Sequence, residues 1–429
     1  FSQLNEINLM VVNSMSYAKY DSYKDSGVDW LGKIPSDWDL LKVKNIFRLV
    51  MKFAPKNNDC ELLSVYTDIG VKPRKELEER GNRATTTDGY LIVEKGDIVV
   101  NKLLAWMGAI GLSDYDGVTS PAYDVLKPKM PIEGIFYHLL FRSPQCTSEL
   151  KRHSRGIMDM RLRLYFDKFG DVVVPYPNIE VQKKIVSFLA EKTAQIDQAI
   201  ALKQQQIEKL NEYKQIVIQN AVTKGLNPNV PMKDSGVEWI GDIPEHWDVK
   251  KLKYVLKSYN KKISSRNSDL RYLGMENIIS KTGEINNESA EVEGLANHFK
   301  PNHILFGKLR PYLAKVYLAD FEGICSTEFL VFEVLEPNNA KFLQILLLSN
   351  GFIQNIDSST YGSKMPRANP DFINNQFIAI PPLDEQLQII NAIENKNQPI
   401  KQAIEKYQTQ IDRLKEYKNI LINQAVTGK

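Results

Sequence analysis

The chain has 429 residues, of which 43% are hydrophobic and 25% are charged, so it is long enough for two or three folded domains. This composition excludes a disordered or a fibrous protein. The formal net charge of +3 permits a basic face that binds nucleic acid but does not predict one.

The cysteines and the hydropathy indicate a cytoplasmic protein. Cys60, Cys146 and Cys325 stand alone, without a CxxC pair or histidines at metal-ligand spacing, which fits a reducing compartment. The longest apolar run, FLQILLL from Phe342, is too short to cross a bilayer. The N-terminus shows no secretory signal. We therefore expect a cytoplasmic protein with no membrane contact.

The sequence contains an internal duplication. KDSGVDWLGKIPSDWD, from Lys24, returns as KDSGVEWIGDIPEHWD, from Lys233, with eleven of sixteen positions identical. IEKLNEYKQIVIQNAVT, from Ile207, returns as IDRLKEYKNILINQAVT, from Ile411. A unit present twice favours a partner with two similar features, such as a two-part DNA site. We divide the chain into an N-terminal extension (1–22), a first domain (23–178), a first long helix (179–225), a second domain (226–382) and a second long helix (383–429).

The two central domains are predicted to be α+β and to share one fold. Segments such as GYLIVEKGDIVVNKLL are short, rich in β-branched and aromatic residues, and interrupted by glycine or proline, which is typical of strands joined by turns. Four pairs of matching residues lie 206 positions apart: Lys102 and Lys308, Gly156 and Gly362, Arg161 and Arg367, Pro175 and Pro381.

Two long amphipathic helices follow the domains. The first has apolar residues at heptad spacing, interrupted once by Lys203, and the second repeats the stripe with Tyr407 at a core position. A helix of ~40 residues is about 60 Å long and cannot bury such a stripe alone. We predict an antiparallel coiled coil in a pseudo-twofold arrangement, with a dent at Pro399. The alternative is a coiled coil that only oligomerises the protein.

The sequence lacks the motifs of the enzymes that act on DNA. It has neither a glycine-rich cofactor motif with an (N/D)PP(Y/F) tetrapeptide nor a P-loop, and its five histidines show no metal-binding spacing. We therefore expect a non-catalytic protein that binds no cofactor itself. A catalytic enzyme with an unrecognised site remains an alternative, for which cofactor binding by the isolated chain would be the sign.

The duplicated VDWLGxIPxxW segments, the PPLDEQ entry into the second helix and the EYKxxxIxxAVT endings resemble the specificity subunit of type I restriction–modification systems. The first helix departs from the pattern, since it opens with PYPNIEVQ. The resemblance implies two target recognition domains that read an asymmetric, bipartite double-stranded DNA sequence. It also implies two methyltransferase subunits and two restriction or motor subunits as partners, which would hold S-adenosylmethionine, ATP and magnesium.

Basic residues on probable loops are the candidate DNA contacts, since lysine and arginine bind phosphates and match base edges. The candidates are Arg74, Arg83, Lys102, Arg155 and Arg161 in the first domain, and Lys262, Arg271, Lys308, Arg310, Lys364 and Arg367 in the second. Two alternatives stay open. Arg161 and Arg367 would instead brace the junction with the helix, and Lys102 and Lys308 would be solvated residues at strand ends.

The duplicated segments and the helix surfaces are the candidate partner contacts. The residues are Trp30, Ile34, Trp239, Ile243, Tyr213 and Tyr417. For the repeated tryptophans, and for Trp106 in the first domain, packing in a core is favoured over base stacking. A competing hypothesis is a coiled-coil scaffold without DNA specificity, whose globular heads bind protein in a salt-insensitive manner.

Overall fold

The computed structural model describes residues 20–76, 87–156, 162–265, 268–286, 294–362 and 364–429. The chain divides into two compact units. The first unit contains Phe1–Leu202 and Gln410–Lys429, and the second contains Lys203–Thr409. Each unit therefore combines one globular domain with the beginning of one long helix and the end of the other.

The first domain is built on a four-stranded antiparallel sheet with the order β4-β11-β8-β9. Smaller pairs are formed by β1 with β2, β3 with β12, β5 with β6 and β7 with β10. The strands are β1 Tyr23–Asp25, β2 Lys33–Pro35, β3 Asp39–Lys42, β4 Phe47–Val50, β5 Leu63–Tyr66, β6 Gly70–Pro73, β7 Leu91–Val93, β8 Ile98–Asn101, β9 Ile110–Leu112, β10 Gly117–Thr119, β11 Tyr123–Pro128 and β12 Val173–Tyr176. The helices are α1 Val43–Ile46, α2 Gly134–Arg142, α3 Pro144–His153, α4 Phe166–Phe169 and α5 Ile179–Lys224.

The second domain repeats this framework, with an antiparallel sheet of the order β16-β23-β20-β21. A second sheet has the order β17-β19-β22-β18, and β13 pairs with β14 and β15 with β24. The strands are β13 Met232–Asp234, β14 Asp242–Pro244, β15 Asp248–Lys251, β16 Leu256–Ser258, β17 Lys262–Ser264, β18 Tyr272–Leu273, β19 Leu295–Phe299, β20 Ile304–Gly307, β21 Val316–Leu318, β22 Gly323–Cys325, β23 Phe329–Val334 and β24 Phe377–Ile380. The helices are α6 Ala340–Leu347, α7 Asn350–Ser358, α8 Pro370–Asn374 and α9 Leu383–Thr427.

Both domains have central strands that are buried on both faces. All four residues of β8 (IVVN) and all four of β20 (ILFG) are buried, as expected for strands covered by a helix on one side. The apolar faces of α2 and α6 supply that cover with large side chains, including Phe136 and Phe342, which have no exposed surface. The prediction of two α+β domains with one fold is confirmed.

The two long helices are also confirmed, and they pair in each unit. In the first unit, Leu189 and Leu421 are buried in one core, and Lys418 Nζ lies 2.7 Å from Asp197 Oδ2. In the second, the ammonium of Lys203 lies 5.6 Å from the ring centre of Tyr407. The pairing is antiparallel, and α9 continues through Pro399 without a break. At 46 and 45 residues, the helices are each roughly 68 Å long.

Candidate nucleic-acid interface

Three segments of the second domain meet at one point, which we call the second junction: residues 308–314, 326–328 and 361–368. Lys308 Nζ donates a hydrogen bond of 2.8 Å to the carbonyl of Thr327. The backbone N–H of Ala368 donates to the carbonyl of Lys308 at 3.0 Å, and that of Arg310 donates to the carbonyl of Pro366 at 2.7 Å. These bonds hold two loops against the end of the sheet.

The loop between residues 361 and 367 is closed at its base. Tyr361 and Arg367 exchange backbone hydrogen bonds of 3.3 and 3.2 Å, and Gly362 has a φ of 93°, a conformation that favours glycine. The Arg367 guanidinium donates two hydrogen bonds, of 3.2 and 3.1 Å, to the carboxylate of Glu328. This hydrogen-bonded ion pair raises the pKa of Arg367. Arg367 therefore braces its loop against the strand end rather than against the long helix.

The neighbouring loop contains two residues in a conformation that L-amino acids rarely adopt. Arg310 has a φ of 51° and Ala314 a φ of 45°, on either side of the short 3-10 turn Pro311–Leu313. Such residues persist only where the surrounding bonds hold them, and they cluster at binding sites. The loop is thus fixed with the side chain of Arg310 exposed to solvent.

The first domain contains a similar arrangement, which we call the first junction, formed by residues 102–107, 121–124, 155–156 and 162–164. Lys102 Nζ donates to the carbonyl of Pro121 at 2.8 Å and lies 3.3 Å from Asp124 Oδ1. The backbone N–H of Leu164 donates to the carbonyl of Lys102 at 2.8 Å, and Arg155 and Arg163 exchange two backbone hydrogen bonds of 2.9 Å. Each of these hydrogen bonds has its counterpart in the second junction, so Lys102 and Lys308 are equivalent residues, although Leu330 stands where the first domain has Asp124.

The structure corrects two of the predicted pairs. Arg163, and not Arg161, occupies the backbone position of Arg367, because the loop of the first domain is two residues longer. Downstream of this loop the matching offset is 204, so Pro177 rather than Pro175 corresponds to Pro381. The carbonyls of both prolines accept a hydrogen bond from a buried glutamine of the following helix, at 2.8 and 2.9 Å.

The junctions bring together some of the predicted DNA contacts. Arg310 and Lys364 are exposed in the second junction, and Arg155 is exposed in the first, 3.7 Å from Asp167. Lys102 and Lys308 each donate to a carbonyl and keep part of their side chain exposed, so contact with DNA stays a prediction for both. Burial raises the pKa of Asp124, and the Lys102 ammonium beside it opposes this change.

The other basic candidates lie elsewhere or outside the described residues. Arg74 lies half-buried in the 3-10 turn Arg74–Glu76, and Lys262 is exposed on β17. The Arg271 guanidinium lies 5.2 Å from the ring centre of Phe321. Arg83 and Arg161 fall outside the part of the chain that the structure describes.

Large apolar side chains at the junctions were not predicted from the sequence. In the second junction, Tyr361 is 65% exposed, Met365 55% and Tyr312 45%. In the first, Leu103, Leu104 and Met107 are exposed, whereas Trp106 is half-buried with the Lys151 ammonium 4.8 Å from its ring centre. The sequence did contain a signal for them: these apolar residues stand next to lysine, arginine or glycine and do not follow the alternation of a β-strand.

The duplicated tryptophan segments form anchors within the two units. Trp38 and Trp247 are fully buried, as expected for core packing, and so are Ile34 and Ile243. These two isoleucines present no surface to a partner in this structure.

The remaining partner candidates retain exposed surface to different degrees. Trp30, Trp239 and Tyr417 are half-buried, and burial raises the pKa of Tyr417. Tyr213 is exposed on α5. Contact of any of these residues with a partner stays a prediction.

The described residues contain neither a cluster of metal ligands nor a helix that could span a membrane. No group of three or more histidine, cysteine, aspartate or glutamate side chains there is arranged to hold a metal ion. None of the described helices is long and apolar enough to cross a membrane.

The comparisons with known proteins agree on one family. The family described as "Type I restriction modification DNA specificity domain" matches residues 35–212 and again 244–415. The specificity subunit of the type I restriction enzyme MjaVIII from Methanocaldococcus jannaschii is 24% identical over 442 aligned residues, covering 97% of each chain. That of MjaIX, from the same organism, is 24% identical and covers 93% of this chain and 95% of its own length.

A solved structure supports the same fold. One chain from work on complex assembly and conformational transition of the type I R-M system superimposes with a TM-score of 0.65 at 13% identity, covering 92% of this chain and 98% of that one. The family match covers most of the sequence and falls once on each half. The chain therefore belongs to the family of type I restriction–modification specificity subunits, with two DNA specificity domains in tandem.

Proposed function

We propose that this chain recognises a bipartite, asymmetric DNA target, with one half read by each domain, and that it is not itself a catalyst. The observation that supports this proposal is the junction, a braced pair of loops that presents exposed cations and is built once in each domain. Equivalent scaffolds with different exposed side chains suit two different half-sites on one duplex.

The charges of the junctions divide into partly buried bracing groups and exposed groups. Lys102, Lys308 and Arg367 already have protein partners, so they shape the loops. Arg310 and Lys364 remain exposed and suit phosphates or base edges. This division would let a loop keep its conformation when the DNA is absent, which lowers the entropy lost on binding.

The chain would also assemble the enzyme subunits. We infer that two methyltransferase subunits and two motor-nuclease subunits gather around one chain in the cytoplasm, with S-adenosylmethionine, ATP and magnesium bound by those partners. Exposed apolar residues on the long helices support a docking role, since such side chains in water mark contact surfaces. These residues are Leu202, Tyr213 and Ile216 on α5, and Leu383, Leu387 and Ile420 on α9.

Methylation mapping would test the proposal. Genomic DNA is sequenced for modified adenine after co-expression of this chain with its cognate methyltransferase subunit, and after expression of the methyltransferase alone. We expect methylation confined to a two-part motif with a fixed gap, and only when this chain is present. An assembled complex that methylates no motif would contradict the proposal and favour a protein-binding scaffold, whose binding should change little with salt.

A further inference from the structure

We propose that three exposed apolar side chains of the second junction contact thymine methyl groups in the second half-site. The three residues, Tyr312, Tyr361 and Met365, are named the apolar triad. The inference rests on the proposed function, since it assumes that this domain reads DNA. It adds the chemistry of the readout, which is apolar contact with the 5-methyl group in the major groove.

The apolar triad lies on the two braced loops. Tyr361 lies at the base of the closed loop, where it exchanges backbone bonds with Arg367, and Met365 lies two residues before Arg367; both side chains are exposed. Tyr312 lies in the adjacent 3-10 turn, after the left-handed Arg310. Burying such side chains inside the domain would stabilise it, so their shared exposure on braced loops indicates a binding surface.

Two exposed cations lie on the same two loops as the apolar triad. The backbone N–H of Arg310 donates to the carbonyl of Pro366 at 2.7 Å, and its guanidinium lies 3.4 Å from the carbonyl of Lys364. Both side chains are exposed. Loops that present both apolar groups and cations complement DNA, in which methyl groups line the major groove and phosphates border it. We therefore assign Arg310 and Lys364 to phosphates and the apolar triad to bases.

The first junction repeats this chemistry only in part. Arg155 takes the position of Tyr361, and Trp106 takes that of Tyr312 with its indole half-buried beneath Lys151. The position of Tyr361 therefore carries a cation in the first domain, whereas the position of Tyr312 carries an aromatic ring in both. We expect apolar readout of thymine by the Tyr361 position in the second half-site only.

Replacement of thymine by uracil is a direct test, because it deletes only the methyl group. After the target has been mapped, the Kd of the complex of this chain with its methyltransferase is measured by fluorescence anisotropy on a series of duplexes. Each duplex carries one uracil in place of one thymine. The loss of one buried methyl contact should weaken binding about fourfold. We expect this loss at one or more thymines of the second half-site.

Variants connect that loss to the apolar triad. Tyr312→Ala, Tyr361→Ala and Met365→Ala are compared on the thymine and uracil duplexes, and at least one should bind both equally. Tyr361→Phe keeps the ring and should keep the wild-type sensitivity. The matched control is Tyr254→Ala, since Tyr254 is 64% exposed in the same domain but lies in the turn Leu252–Tyr254, outside the junction. This variant should behave as the wild type does.

The outcomes separate this inference from the proposed function. If the wild-type complex methylates a two-part motif but no thymine in the second half responds to uracil, the apolar readout is wrong and the recognition role stands. The same holds if all three alanine variants keep the sensitivity. If no motif is methylated at all, the recognition role itself is wrong.

Discussion

Replacing Glu385 by valine would give the second unit an arrangement that the first unit already has. Glu385 Oε2 accepts a hydrogen bond of 3.0 Å from the indole of the fully buried Trp247 and lies 2.8 Å from His246 Nε2. Val181 stands at the equivalent position in α5, where the first helix departs from the PPLDEQ pattern. The buried indole N–H of Trp38 consequently has no carboxylate acceptor, and the hydroxyl of Tyr20 is the polar group beside it.

The magnitude follows from the burial of the donor. A buried N–H left without an acceptor costs about 1–3 kcal/mol, and a bond to a charged acceptor contributes in the same range. Because the Glu385 side chain is only 24% exposed, solvent screening reduces this contribution little. We expect Glu385→Val to lower the free energy of unfolding of the second unit by about 2 kcal/mol. For a unit of this size, that lowers the Tm by roughly 4–8 °C.

Calorimetry and hydrogen exchange would measure the change. Glu385→Gln keeps one carbonyl oxygen as an acceptor, so its loss of unfolding free energy should be about half of that of the valine variant. Amide hydrogen exchange should accelerate in β14 and β15 only for the valine variant. Val181→Glu should instead raise the free energy of unfolding of the first unit, by up to about 1 kcal/mol. If the valine variant unfolds as the wild type does, or if the glutamine variant is equally unstable, the hydrogen bond does not have the role given to it.

Three further predictions concern single side chains. Burial lowers the pKa of His138 from 6.5 to about 4, so between these two pH values the unfolded chain binds a proton that the folded chain does not. The free energy of unfolding, measured by urea titration, should therefore fall by about 3 kcal/mol as the pH drops from 6.5 to 4. His138→Gln should lack this pH dependence. Arg142 donates to carbonyls in two turns, those of Tyr66 and Thr67 in one and those of Gly108 and Ile110 in the other. Arg142→Leu should accelerate amide hydrogen exchange in both of these turns and should weaken recognition of the first half-site but not of the second, as measured by methylation. Glu328→Ala and Arg367→Ala should each weaken binding of the second half-site, and the double variant should bind no more weakly than either one.

Much of the fold is visible in the sequence because its signals are periodic. The heptad stripe predicts both long helices, and it continues through Lys203, which is buried in the structure at the position the period gives it. The duplicated segments predict the repeated domains in the same way, since identical residues at a near-constant offset fold alike. Periodicity and repetition are properties of sequence alone.

The junctions could be predicted only in part, because their bonds join residues far apart in the sequence. Matching glycine to glycine and arginine to arginine aligned Arg161 with Arg367, and only the backbone bonds reveal that Arg163 takes that place. Likewise, a lysine at a strand end suggests a solvated group until Asp124 is found 3.3 Å away. Partners of charged side chains depend on tertiary packing, which spacing does not report.

The structure also indicates where the recognition domains can be exchanged. The chain enters and leaves each domain through a two-stranded stem, formed by β3 with β12 and by β15 with β24. Behind each stem, a buried glutamine side chain, Gln182 or Gln386, accepts a hydrogen bond from a backbone N–H of the domain, at 2.9 and 2.8 Å. Because the donor is a backbone N–H group, either domain can donate this hydrogen bond to the glutamine behind either stem.

A chimera in which residues 252–376 replace 43–172 should therefore fold and carry the second domain twice. We expect methylation mapping to show the second half-site in both positions of the target, with partner assembly unchanged. An exchange of residues 50–175 should also change only one half of the target, but its ends lie within β4 and β12, so side chains from two domains would be mixed within one strand and the chain should be less stable than the stem chimera. Retention of the original first half-site by the folded stem chimera would show that the sequence is read outside the inserted domain.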